Sequence, residues 1–265
     1  MRRAESAKLK GEKMLLAIDI GNTTITFGLF RKERLIRQWW VRSGQISVNL
    51  FRKGILKSER LSAIIISSVA PKTLTKLRKK LINHFRIKPL IVGKDITIKI
   101  LNLYHDPKQV GSDRLVNAVA GYKFYGGPLV IVDFGTAITF DVISAKGAYL
   151  GGIIAPGVKT SLDALSEKAA LLPRISLSRP KSLVGKETSQ SMNSGIIYGF
   201  SALCDGIICR LKKKYGSNIG IVATGGEARN IAAYCKSINI KKIRPDLTLQ
   251  GLRLIYQNYL QDKNS

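Results

Sequence analysis

The sequence predicts an α/β fold made of two duplicated halves around a common cleft. Three observations carry that expectation. Short apolar, strand-like runs alternate with stretches of helical period along the chain. One strand-turn-strand phrase occurs twice, as "LLAIDIGNTTITFGLF" from Leu15 and as "LVIVDFGTAITFDVI" from Leu129, each running an apolar strand into Asp-x-Gly, then hydroxyl residues, then a second strand. The 265 residues, 45% hydrophobic and 23% charged, are enough to bury one large core or two compact ones.

In the first half, strands are expected at Met14–Ile18, Thr26–Phe30, Leu35–Val41, Ala63–Val69 and Leu90–Val92, with helical patterns at Val48–Leu56 and Leu74–Phe85. Trp39 and Trp40 are neighbours on a strand and must face opposite ways, so one packs and the other lies at an edge or interface. A helix opens at "SDRLVNAVAGYKFYG", with Ser112 as its N-cap and Val116, Val119, Ala120 and Phe124 as its apolar face, and Gly126-Gly127-Pro128 stops it. The second half repeats the scheme. Strands are expected at Leu129–Asp133, Thr139–Ile143, Ala148–Ile154 and Ile219–Thr224, and helices near Ser161–Lys168, Gln190–Tyr215, Ala228–Cys235 and Leu249–Tyr259. A boundary near Gly127 gives an N-terminal domain over 14–127 and a C-terminal domain over 128–265, with residues 1–13 as a basic arm.

Charge narrows the function classes less than it first suggests. The formal charge of +27 comes from 44 Lys and Arg against 17 Asp and Glu, enough to attract any polyanion nonspecifically. The arm holds five basic and two acidic residues, a net +3, so the basicity is spread over the whole chain. Between Pro71 and Pro89, Lys72, Lys76, Arg78, Lys79, Lys80, Arg86 and Lys88 occur with no acid; the plain reading is a solvated helix face, and no zinc-finger or RNA-binding signature accompanies it. Three cysteines, Cys204, Cys209 and Cys235, form neither a disulfide framework nor a C-x-x-C metal pair, which fits a reducing cytosol. No secretion signal and no unbroken run of 18 apolar residues is read, so a soluble, cytoplasmic protein without a membrane partner is expected.

The repeated phrase carries chemistry. Past the end of an apolar strand, a glycine lets the backbone turn tightly and lets another group approach its N–H atoms. Asn22, Thr23 and Thr24 add donors beside Gly21, and Asp19 stands where a hydrated magnesium ion would counter phosphate charge. Asp133, Gly135, Thr136 and Thr139 offer the same groups in the second half, and together the two suit a nucleoside triphosphate. A single copy would read equally well as a β-hairpin turn. No Walker or Rossmann glycine pattern lies at these strand ends. Phosphoryl transfer to a hydroxyl also needs a proton acceptor, and "VGSDRL" offers Asp113 at a helix start, with Arg114 beside it for an anionic substrate group. Taken alone, that hexapeptide also reads as a helix cap.

In order along the chain, "DIGNT" (Asp19–Thr23), "VGSDR" (Val110–Arg114), "VDFGTAITFD" (Val132–Asp141), "YLGGIIAPGV" (Tyr149–Val158), "ALLP" (Ala170–Pro173), "SMNSGIIYGF" (Ser191–Phe200), "ATGGEA" (Ala223–Ala228) and "LTLQGL" (Leu247–Leu252) resemble the type III pantothenate kinases. The resemblance runs from Met14 to about Leu260. It implies two ribonuclease H-like domains of the actin, Hsp70 and sugar kinase superfamily, and ATP-dependent phosphorylation of pantothenate to 4'-phosphopantothenate, the first step of coenzyme A synthesis. It also implies magnesium with ATP, a monovalent cation (potassium or ammonium), and a homodimer. Carried over position by position, Asp19, Ile20, Gly21, Asn22, Thr23, Thr24, Ile25 and Thr26 would hold ATP phosphates and Thr136 would contact ATP. Asp133 would bind the monovalent cation, Gly111, Ser112, Asp113 and Arg114 would line the pantothenate site with Asp113 as proton acceptor, and Tyr104 and Thr188 would be further substrate contacts, Thr188 from the facing subunit or lobe. One departure is Glu187 where the family commonly carries Asn, which bears on hydrogen bonding around Thr188. The high charge is another.

Two other readings stay open at this point: a kinase-like protein turned nucleic-acid-binding regulator, prompted by the charge, and a kinase of another small hydroxylated acceptor. His84 and His105 have no part in any of them.

Overall fold

The computed structural model describes residues 14–46, 55 and 60–264. The basic arm, and the helix expected over Val48–Leu56 save for Ile55, fall outside the described residues. The chain divides into two compact units: one takes in the chain through Ile100, Lys108–Ala120 and Thr248 onward, the other Leu101–Pro107 and Gly121–Leu247.

The first unit is a five-stranded sheet in the order β3-β2-β1-β4-β5. β1 (Met14–Ile20), β2 (Thr24–Arg31) and β3 (Arg34–Arg42) form an antiparallel meander, and β4 (Leu61–Ser68) and β5 (Leu90–Ile91) add in parallel. β1 is central and both its faces are covered, which is why its sequence is apolar without alternation. Leu16, Ile18 and Ile20 pack with Leu77 and Leu81 of α1 (Pro71–Phe85). Leu15 and Ala17 pack on the other side with Val116 of α2 (Ser112–Tyr125) and with Leu249, Leu252 and Ile255 of the last helix. On the meander's outer strand, Trp39 stacks on Phe27 with ring centroids 5.2 Å apart, while Trp40 is 66% exposed, the split that strand geometry demands of adjacent residues.

The second unit repeats the topology with four strands, β8-β7-β6-β9. β6 (Leu129–Phe134), β7 (Ala137–Ile143) and β8 (Tyr149–Pro156) run antiparallel, and β9 (Gly220–Thr224) pairs in parallel with β6. Val130, Val132, Phe134, Ile138 and Phe140 face α3 (Val158–Lys168), α4 (Thr188–Tyr215) and the short α5 (Ala228–Ala232). The chain closes with α6 (Leu247–Asn264).

The expected strands and helices that fall on described residues are present within a few residues at each end. The partition, however, differs from the contiguous 14–127 and 128–265 division: α6 packs on the first sheet, and α2 passes from one unit to the other after Ala120. Sequence order could not reveal this, because a helix's apolar face does not say which sheet it covers. The expectation that no unbroken run of 18 apolar residues occurs stands, and one helix bears on it. By length and composition α4 is apolar enough to cross a bilayer, although Asp205 and Arg210 interrupt its apolar part. Its Met192, Ile196, Ile197, Cys204 and Ile208 are buried in the second unit's core.

Gly251, inside α6, marks how closely that helix meets α2. A Cβ added there would stand 2.3 Å from the Val116 carbonyl oxygen. Alanine at a helix-interior glycine gains roughly 1 kcal/mol of propensity, but a clash with backbone that cannot rotate away costs about 1–3 kcal/mol. Gly251→Ala is therefore expected to lower stability, read as a reduced midpoint in urea unfolding, and an unchanged or raised midpoint would contradict the packing described.

Candidate active site

In the first unit, two stretches singled out in the sequence come together through hydrogen bonds at the C-terminal ends of parallel strands. β1 ends at Ile20, and the turn after it is closed by Gly21 N–H donating to the Thr24 carbonyl at 2.9 Å. Ser43 braces it from outside: its hydroxyl donates to the Gly21 carbonyl at 3.0 Å, and its N–H to the Thr23 carbonyl at 2.9 Å. With the backbone polar groups occupied this way, Asn22, Thr23 and Thr24 stand exposed. Asp19 is partly buried and sits in register with Ser67 of β4.

Ser67 is fully buried, and its Oγ lies 3.0 Å from that of Ser112 at the start of α2. The Ser112 hydroxyl also reaches the Ser68 carbonyl at 3.5 Å. This corrects the expected N-cap role for Ser112, since its side chain ties α2 to the sheet instead of closing the helix. Asp113 comes next, its Oδ1 accepting from the Arg114 N–H at 2.8 Å. The carboxylate lies so close over Gly111 that a Cβ there would be 2.6 Å from Oδ1 and would push the carboxylate aside. Arg114 is buried, and the next turn of α2 carries the buried Asn117, whose Oδ1 accepts from Thr248 Oγ1 at 2.8 Å.

In the second unit, Asp133 is the penultimate residue of β6, in register with Thr139 on β7 and Thr224 on β9. The "ATGG" turn passes directly over it. Gly225 has a φ of +95°, and a Cβ there would fall 2.5 Å from both Asp133 Oδ1 and the Phe134 nitrogen. Thr136 is exposed, and its carbonyl accepts from Gly157 N–H at 3.1 Å and Thr160 Oγ1 at 2.8 Å, so the β6–β7 turn is fixed by the start of α3. Thr139 does not offer its proton outward as the sequence suggests. It donates to Asp141 Oδ2 at 2.9 Å, and Tyr149 donates to Oδ1 at 2.8 Å, satisfying a carboxylate that is completely buried.

Tyr104 is also in this unit. Its segment is stitched to β8 by Leu103 N–H donating to the Tyr149 carbonyl at 2.9 Å, and its ring lies 3.7 Å from where a Cβ on Gly151 would be. Thr188 is the exposed first residue of α4, preceded by Glu187 as the cap residue. Glu187 answers the question its substitution raises: its Oε1 accepts from Gln190 Nε2 at 2.8 Å, and its carbonyl from Ser191 N–H at 2.9 Å. These bonds at the start of α4 involve neither Asp133 nor Tyr104. Ser43, Ser67, Asp141 and Tyr149 carry these arrangements without having been assigned a role from sequence. The signal for Ser67 was there, since "AIIISS" also drives an apolar strand into hydroxyls.

Among the described residues no group of three or more His, Cys, Asp and Glu gathers as a metal cage. Single carboxylates at strand ends suit magnesium, which keeps most of its waters and takes one or two carboxylates beside substrate phosphates. A hydrogen bond with Cys235, then burial, push the Cys204 thiol well above its usual range.

The sequence profile of the type III pantothenate kinase family matches residues 15–210. A type III pantothenate kinase of Syntrophus aciditrophicus is 44% identical over 253 residues, covering 92% of this chain and 99% of the relative. One from Listeria welshimeri is 42% identical, covering 92% and 97%. Among solved structures, a Campylobacter jejuni protein of the Baf family, provisionally described as a transcriptional activator, aligns with a TM-score of 0.57 at 22% identity, over 93% of this chain and 99% of that one. The activator of the 2-hydroxyisocaproyl-CoA dehydratase from Clostridium difficile, solved with bound ADPNP, aligns at 0.52 and 12% identity, over 95% and 98%. A ROK family glucokinase from Streptomyces griseus aligns at 0.50 and 12% identity, over 92% and 99%. At these identities the structures speak for the fold, which is that of the actin, Hsp70 and sugar kinase group.

Gly225→Ala is expected to cost about 1–3 kcal/mol, from the positive φ and from the collision with Asp133 and the backbone of Phe134. The check is urea unfolding beside Gly226→Ala, whose added Cβ meets nothing within 4 Å. Equal midpoints in the two variants would contradict the close passage of the turn over Asp133.

Proposed function

The chain belongs to the type III pantothenate kinase family, and from that premise we propose how its residues divide the work of phosphorylating pantothenate with ATP, the entry step of coenzyme A synthesis. The observation that carries the division is the connection in the first unit from Asp19 through Ser67 and Ser112 to Asp113.

The reaction moves the γ-phosphoryl group of ATP to the terminal hydroxyl of pantothenate, and the proton of that hydroxyl goes to a base. Asp113 is that base. Gly111 leaves room for its carboxylate, and the bonds from Ser112 to Ser67 and Ser68 hold the start of α2, and with it Asp113, against β4. Holding base and alcohol together removes much of the entropic barrier to transfer. Gly111, Ser112 and Arg114 line the same subsite, the guanidinium pairing with the pantothenate carboxylate. Tyr104 and Thr188 are further substrate contacts.

Residues 19–26 hold ATP phosphates, using the exposed donors of Asn22, Thr23 and Thr24, and Thr136 contacts the nucleotide. Magnesium bound with ATP would be held near Asp19 through water, and it neutralises phosphate charge when present. A monovalent cation, potassium or ammonium, belongs at Asp133, where the carboxylate lies under the "ATGG" turn. We place the enzyme in the cytoplasm as a homodimer, a setting that fits the free cysteines.

Asp113→Asn is expected to cut turnover by roughly 100-fold or more while ATP affinity changes little, because the substitution removes a proton acceptor and leaves the shape. A coupled ADP-release assay beside nucleotide titration checks this, and wild-type turnover in the mutant would end the assignment. Asp133→Asn is expected to abolish the stimulation that potassium gives over a sodium-free, potassium-free buffer in the same assay. A mutant with undiminished stimulation would move the cation elsewhere.

A further inference from the structure

The basic stretch on α1 has a shape that a solvated helix face lacks. Lys72, Lys76 and Lys79 fall at i, i+4 and i+7, so they share one face of the helix, opposite the buried Leu77 and Leu81. That face forms one wall of a groove of about 670 Å³ in the first unit, and Asn22 and Ser43 help form the rest. Thr73, in the first turn of α1, lines it too, so the groove also runs past the electropositive start of a 15-residue helix. Lys80 completes the wall, its Nζ donating to the Ile46 carbonyl at 3.0 Å.

Among the described residues no carboxylate lines this groove, and none of the ion pairs among them involves Lys72, Lys76 or Lys79. Several ammonium groups along one concavity repel one another, and a ligand that carries several negative charges in a short length relieves that repulsion at each of them. None of the described residues lining the groove is an aromatic on which a base could stack, and lysines act as point charges that suit phosphate oxygens. Its chemistry therefore fits a compact chain of phosphates better than a nucleic acid.

We propose that this groove binds oligophosphates, chains of three or more linked phosphates, beside the β1–β2 turn. The groove is lined by α1 and by Asn22, Ser43, Gly44 and Ile46, and it shares Asn22 with the stretch assigned to the ATP phosphates, so the lysines, which have no part in that assignment, are what the test varies.

The test is calorimetric titration of the full chain with inorganic tripolyphosphate at physiological ionic strength. The triple variant Lys72→Gln, Lys76→Gln, Lys79→Gln is compared with Lys212→Gln, Lys213→Gln, Lys214→Gln at the end of α4, which removes the same three charges elsewhere. Saturable binding to the wild type is expected, weakened roughly tenfold or more in the groove triple and by about twofold or less in the control. Circular dichroism checks that the groove triple is folded, and if it is not, Lys76→Gln alone is expected to weaken binding by about threefold. Equal losses in the two triples, or no binding to the wild type at millimolar tripolyphosphate, would overturn the proposal. So would duplex DNA held through the same lysines and not displaced by tripolyphosphate.

Discussion

The parallel pairing of β1 with β4 is the constraint on which the rest of the first unit depends. It places Asp19 opposite Ser67, and Ser67 is the buried hydroxyl that holds Ser112 and so locates Asp113. Strand register has a period of two, so a slip of one residue would turn Ser67 to the opposite face of the sheet and leave Ser112 without its partner. The apolar stretches around it prevent that slip. Leu16, Ile18, Ile64 and Ile66 fill one side and Leu15, Ala17, Ala63 and Ile65 the other, so the same burial that stabilises the sheet also sets where its carboxylate ends up.

The second unit uses the same topology to a different local end. Asp133 occupies the place of Asp19, next to last in the central strand, but the neighbouring parallel strand leads into Gly225 and not into a helix-anchoring serine. One carboxylate therefore has a helix start attached beside it, and the other has a tight backbone turn folded over it. Duplication supplied the frame, and the segment after the fourth strand of each sheet made the halves different.

Much of this was legible in the sequence. The two Asp-x-Gly phrases located both central strands, and the apolar period of "SDRLVNAVAGYKFYG" located α2. Residue chemistry also anticipated the divergent fates of Trp39 and Trp40. The roles of Ser43, Ser67 and Asp141 were not legible, because each depends on a partner in another element: Gly21, Ser112 and Tyr149. The assignment of α6 to the first sheet was hidden for the same reason. Local pattern tells which face of a helix is apolar, while the surface that covers it is a property of the whole chain. The lysines of α1 read as a surface run in one dimension, and only the turn after β1 and the segment after β3 make them the wall of a groove.

The packing of α6 has a consequence for synthesis. Leu249, Leu252 and Ile255 are part of the core that covers Leu15 and Ala17, residues translated more than two hundred positions earlier. While the ribosome is still making the middle of the protein, that side of the first sheet stays open and sticky, and the second unit has every strand of its own sheet before the last helix emerges. The half made first is thus the half finished last, and the nascent chain spends most of its elongation with an apolar surface that a chaperone would have to shield.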